Sequence, residues 1–113
     1  MTQSTMPLWR MFRGLETFRA LDAEIPPQTI GTFLYVATHD GCLMKDLADS
    51  LGVAQSTMSR NVAMLDRINR HHEPGLDLVR AIEDPVERRR KIVRLTPKGR
   101  QLRDRLIDLL EEQ

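Results

Sequence analysis

The chain has 113 residues, 41% hydrophobic, 29% charged and 4% aromatic, with 17 Lys and Arg against 16 Asp and Glu. That is the size of one domain with one modest core, too short for a TIM barrel or a full dinucleotide-binding fold. The apolar runs are too short to cross a bilayer, and residues 1–13 lack the pattern of a signal peptide. The single cysteine, Cys42, leaves no internal disulfide and no cysteine-rich metal site. The expectation is a cytoplasmic chain with no cofactor, no metal and no membrane contact.

In chain order, the first element spans residues 8–21. Leu8, Met11, Phe12, Leu15, Phe18 and Leu21 recur at i, i+3, i+4 and i+7, the spacing of an amphipathic helix. Pro26 and Pro27 stop it, because proline cannot continue a helix and restricts the residue before it. A second helix is expected over 28–39, with Ile30, Phe33, Leu34 and Ala37 on one face, and Asp40-Gly41 ends it. A short third helix over 44–51 turns Leu47, Ala48 and Leu51 inward, and Gly52 follows with positive φ. The fourth is expected over 55–69, with Met58, Val62 and Leu65 inward, before a loop at His71-His72-Glu73-Pro74-Gly75. The period then changes. Residues 78–82 and 91–95 are short, β-branched runs, and read as two strands joined by a long basic tip. Thr96 caps a last helix with Pro97 at its first position and Leu102, Leu106, Leu109 and Leu110 as its stripe. The fold class is mostly α (α+β): a winged helix–turn–helix of about five helices and a two- or three-stranded β-wing, one domain over 1–113.

Helices three and four carry the functional signal. A small residue, Ala48, lies four places before Gly52, as two closely crossing helices require. The fourth helix opens Gln55-Ser56-Thr57-Met58-Ser59-Arg60-Asn61. A helix lying in the DNA major groove reads base edges with its N-terminal residues. Gln55, Arg60 and Asn61 have the donors for bases, while Ser56, Thr57 and Ser59 suit phosphate oxygens. The plain alternative is a helical hairpin with a well-capped start.

Charge points the same way. Residues 54–100 hold 11 basic and 6 acidic residues, a basic block between mildly acidic ends. Arg88, Arg89, Arg90 and Lys91 cluster at the tip of the hairpin, where guanidinium groups suit the negative potential of a minor groove. Alone, such a run is more often a solvated charge cluster. Placed after a helix–turn–helix it reads as a wing.

From Leu43 to Gly99 the sequence resembles the winged-helix domain of the MarR family of transcriptional regulators. The resemblance rests on residues 47–60, on Met64-Leu65-Asp66-Arg67, and on the run from Asp84 to Gly99 with its acidic residues, arginines, apolar strand and Leu-Thr-x-x-Gly ending. It implies a DNA-binding regulator, most often a repressor, that reads a palindromic operator in double-stranded DNA as a homodimer. Helix 55–69 would enter the major groove, and an arginine of the wing, 83–91, the minor groove. Asp66 would pair with Arg89 to steady the wing. Residues 8–21 and 97–112 would be the dimerisation helices, through Leu8, Met11, Phe12, Leu15, Leu106, Leu109 and Leu110. Family members often place a small-molecule effector between these helices and the DNA-binding lobes. This chain departs from the family at three points. Its last helix stops at Gln113, the link at 69–77 is longer, and Asn61 stands where an apolar residue is usual, so that it either faces DNA or lies in the core.

Other residues carry less. His39, His71, His72 and Glu73 could suggest a metal, but adjacent histidines in a Pro-Gly loop are more often solvated. Cys42 reads as a half-buried thiol rather than a redox sensor. Trp9 lies beside the first helix's stripe, against its own core or a partner subunit. No nucleophile elbow, phosphate-binding glycine loop or paired carboxylates point to an enzyme. The competing function class is a winged-helix module that binds protein instead of specific DNA.

Overall fold

The computed structural model describes residues 2–68 and 71–111. After a 3-10 turn at Gln3–Thr5 come α1 (Met6–Leu21), α2 (Pro27–Thr38), β1 (Cys42–Leu43), α3 (Met44–Leu51), α4 (Gln55–Leu65), β2 (Val79–Glu83), β3 (Lys91–Leu95) and α5 (Pro97–Glu111). The sheet is antiparallel with order β1-β3-β2. Two residues form the third strand, Cys42 opposite Val93 and Leu43 opposite Ile92. β2 and β3 pair from Val79↔Leu95 out to Glu83↔Lys91.

α2 is the central helix. It buries Ile30, Phe33 and Val36, with Thr29 and Thr32, against α3, α4 and β3. Phe33 meets Phe18 of α1 edge to face, with ring centroids 5.6 Å apart. Around them lie Leu47, Met58, Val62, Leu65, Leu78, Val79, Val93 and Leu95 in one continuous core. The stripe of α1 behaves otherwise than its periodicity implies: Phe18 is buried and Leu21 half-buried, while Leu8, Met11, Phe12 and Leu15 are exposed.

The turn between α3 and α4 follows from two small residues. Gly52 caps α3 in the left-handed region at φ 68°, where a Cβ would be strained. Ala48 is buried, and its carbonyl accepts from the N–H of Val53 at 3.1 Å. α4 ends four residues earlier than its sequence pattern implies. Asp66 turns extended, at φ −82° and ψ 179°. Its carboxylate accepts from the N–H of Arg67 at 2.6 Å and of Ala81 at 3.3 Å, which draws the chain from the helix towards β2. Asn69 and Glu112, both expected in helices, lie outside the described residues.

α5 starts as its sequence implies. Thr96 Oγ1 accepts from the N–H of Gly99 at 2.9 Å, with Pro97 in the first position. The same hydroxyl donates to the carbonyl of Asp77 at 2.6 Å, which ties the cap to the start of β2.

Candidate nucleic-acid interface

α4 presents two faces. Met58, Asn61, Val62 and Leu65 point into the core, while Gln55, Ser56, Ser59 and Arg60 are exposed and Thr57 is half-buried. The wing meets the start of this outer face. Gln55 lines a cavity of about 210 Å³ together with Leu43, Met44, Lys45, Arg89, Arg90 and Lys91. Thus the N-terminal end of α4, the start of α3 and the basic run leading into β3 converge on one concave surface carrying four cations. Lys45 escaped the sequence reading. It lies far from the basic block in sequence, and only the pairing of β1 with β3 brings it beside the wing.

The tip of the wing holds itself. The N–H of Asp84 donates to the carbonyl of Arg90 at 3.0 Å, and the N–H of Arg90 donates to the carbonyl of Glu87 at 2.9 Å. Asp84 also accepts from the N–H of Val86 at 2.9 Å and faces the guanidinium of Arg90 at 3.7 Å. Arg88, Arg89, Arg90 and Lys91 are all exposed.

The structure corrects three expectations. Asn61 is no groove-facing donor. It is 8% exposed, and its amide is turned to α2, where Nδ2 donates to Gln28 Oε1 at 2.8 Å and Oδ1 accepts from Thr29 Oγ1 at 3.4 Å. Its spacing gives the reason, three residues after Met58 and four before Leu65, on the inner stripe. Asp66 pairs with Arg80 of β2 at 3.1 Å, not with Arg89. Arg80 also meets Asp77 at 2.7 Å, so the steadying contact lies at the root of the wing. Leu106 is 6% exposed and packs within its own chain, toward Gly14 of α1.

Away from the wing, α1, α2 and α5 leave an apolar surface uncovered. Met11, Gly14, Leu15, Phe18, Ile30, Leu34, Leu106 and Leu110 line a groove of about 180 Å³. Leu8, Phe12 and Ile107 are exposed as well, and Trp9, 40% exposed, stacks on Phe12 at 5.3 Å. Leu109 is half-buried.

Cys42 sits at the seam of β1 and β3. Burial raises its thiol pKa above the ordinary 9.0, and the carboxylates of Asp46 and Asp40 push the same way against an opposing backbone hydrogen bond. Among the described residues no three His, Cys, Asp or Glu side chains gather as a metal site, and no helix is long and apolar enough to cross a membrane.

No family model matches the chain, and no curated protein matches it. Solved structures do. MepR of Staphylococcus aureus, in complex with DNA, is 23% identical over 96% of this chain and 79% of its own, with a TM-score of 0.70. The PcaV transcriptional regulator of Streptomyces coelicolor is 18% identical over 94% of this chain and 73% of its own, with a TM-score of 0.62. MarR itself is 19% identical over 88% of this chain and 77% of its own, with a TM-score of 0.57. Five helices, a three-stranded antiparallel sheet and these neighbours together give the chain the winged helix–turn–helix fold of the MarR-type regulators.

Proposed function

We propose that this protein is a DNA-binding transcriptional regulator of the MarR family, and a repressor. One observation carries the reading: Gln55, at the start of α4's exposed outer face, and the arginine wing line a single concave basic surface. Gln55 and Arg60 have the donors for base edges in the major groove, and Ser56, Thr57 and Ser59 suit flanking phosphates. Lys45, Arg88, Arg89, Arg90 and Lys91 neutralise backbone charge, with the wing entering the adjacent minor groove. The MepR–DNA complex supports this placement by likeness of fold.

The apolar surface on α1, α2 and α5 supports a homodimer, because exposed apolar patches of this kind mark association sites. Leu8, Met11, Phe12, Leu15, Leu109 and Leu110 would meet the second copy. A symmetric dimer reads a palindrome, with half-sites about one helical turn, or a multiple of it, apart.

Mobility shifts of the full chain on duplexes selected from a random library test the reading. Retardation of a selected duplex that survives scrambled competitor, and weakens steeply between 50 and 200 mM salt, is expected. Absence of any shift at low salt would overturn it in favour of a protein-binding module.

A further inference from the structure

The anchoring of α4 decides where its outer face points. Its N-cap, Ala54, offers no side-chain cap bond. Its fully buried anchors include Met58, an unbranched and compliant side chain whose sulfur accepts only weakly from Thr32 Oγ1 at 3.6 Å, as Met64 Sδ does from Thr29 Oγ1 at 3.8 Å. The strongest directional link is an amide's. Asn61 donates to Gln28 Oε1 at 2.8 Å and accepts from Thr29 Oγ1 at 3.4 Å, so the middle of α4 is fastened to the first turn of α2. Thr29 is fully buried, and Asn61 nearly so.

Such a bond adds little to stability. A buried polar group is worth about as much as a well-packed apolar side chain of its size, and its better-attested use is to fix register. Side chains reach about 6 Å from a helix axis. A rotation of roughly 20° would therefore move the tips of Gln55 and Arg60 by about 2 Å, beyond the tolerance of a hydrogen bond.

From these observations, and resting on the DNA-binding reading above, we infer that Asn61 is a positioning residue: its amide sets the rotation of α4 about its own axis, and with it the sequence preference of a face it does not belong to. Asn61 touches no DNA. It acts through the outer residues it aims.

Two measurements on the full chain test this. Residual dipolar couplings of backbone amides report the orientation of α4 relative to α2 without any DNA. Affinities for a selected duplex and for a scrambled one give a discrimination ratio. Asn61→Leu, which takes an acceptor from the buried Thr29 hydroxyl, is expected to melt somewhat below the parent, to turn or loosen α4, and to cut the ratio about tenfold, with affinity for scrambled DNA unchanged. Gln28→Ala removes the same bond from the exposed side and should lower the ratio too, even if Asn61→Leu fails to fold. Gln28→Glu keeps an acceptor for Nδ2 and should hold the ratio. Retention of either the orientation or the ratio in variants that lack the bond overturns the inference. Should the parent itself fail to discriminate between duplexes, the DNA-binding reading falls, and the couplings alone decide whether Asn61 orients α4.

Discussion

On the proposed DNA-binding reading, single side chains divide into those that choose a sequence and those that supply affinity. Arg60 stands exposed on the second turn of α4, so Arg60→Ala should cost about 1–3 kcal/mol on a selected duplex and relax preference at one position per half-site. Arg89 lines the basic hollow at the wing, so Arg89→Ala should weaken selected and scrambled duplexes alike and flatten the salt slope by about 1. Titrations at several salt concentrations separate the two roles; equal losses on both duplexes for Arg60→Ala would remove it from base reading. Cys42 gives a third test. Burial first, then Asp46 and Asp40, disfavour its thiolate, so the proton stays on at pH values where a free thiol has begun to ionise. Alkylation of the native chain near pH 8.5 should therefore lag well behind that of the denatured chain. Much of this was legible beforehand, because exposure of Gln55, Ser56, Ser59 and Arg60 follows from helical spacing. The inward turn of Asn61 was equally legible from its distance to Met58 and Leu65, but its chemistry, an amide among DNA-like donors, masked the position. Arg80 could not be found this way. Asp66 faces two arginine-bearing segments in sequence, and only the register of β2 chooses between them.

At the scale of elements, sequence punctuation and backbone demand coincide. Gly52 lies at φ 68° with open space around the place a Cβ would take, so Gly52→Ala meets only backbone strain and should cost about 1 kcal/mol. Gly99 differs. A Cβ there would lie 2.0 Å from the carbonyl oxygen of Leu78, which also accepts from the N–H of Thr96 at 3.0 Å. Gly99→Ala must push α5 off the sheet, and a loss of about 3 kcal/mol in chemical denaturation is expected. If the two variants melt alike, the close approach of α5 to β2 is wrong. The Leu-Thr-x-x-Gly run thus has a physical content, a cap and a contact that only glycine permits. The helices and the hairpin were readable because their periods are strong. β1 was not, since two residues carry no alternation and their pairing with β3 is a long-range event. The end of α4 was misread because Ile68 continues the apolar pattern, while Asp66 spends its carboxylate on backbone amides and breaks the ladder.

For the whole molecule, the apolar surface on α1, α2 and α5 lies on elements other than the hollow shared by α3, α4 and the wing. Met11→Glu with Leu15→Glu places charge on residues that are 60% and 40% exposed, so the isolated fold should survive while the proposed dimer should not form. Light scattering should give the mass of one chain, and affinity for a palindromic duplex should fall steeply while that for a half-site holds. An unchanged mass would move the interface elsewhere. The wing adds a mechanical corollary. Its root is clamped from several sides, by Asp40 Oδ1 on the N–H of Leu95 at 2.9 Å, by the N–H of Gly41 on the carbonyl of Val93 at 3.0 Å, by Thr96 on Asp77, and by Asp66 on Arg80 and the N–H of Ala81. Among the described residues, the hydrogen bonds and the ion pair beyond Glu83 join the ribbon to itself. A strip fixed at one end and free at the other behaves as a cantilever, so its deflection is spent at the distal end, and amide exchange should quicken steadily from Leu95 outward to Val86. The arginines ride on the part that bends, which on the proposed reading would let one rigid body follow grooves of unequal width.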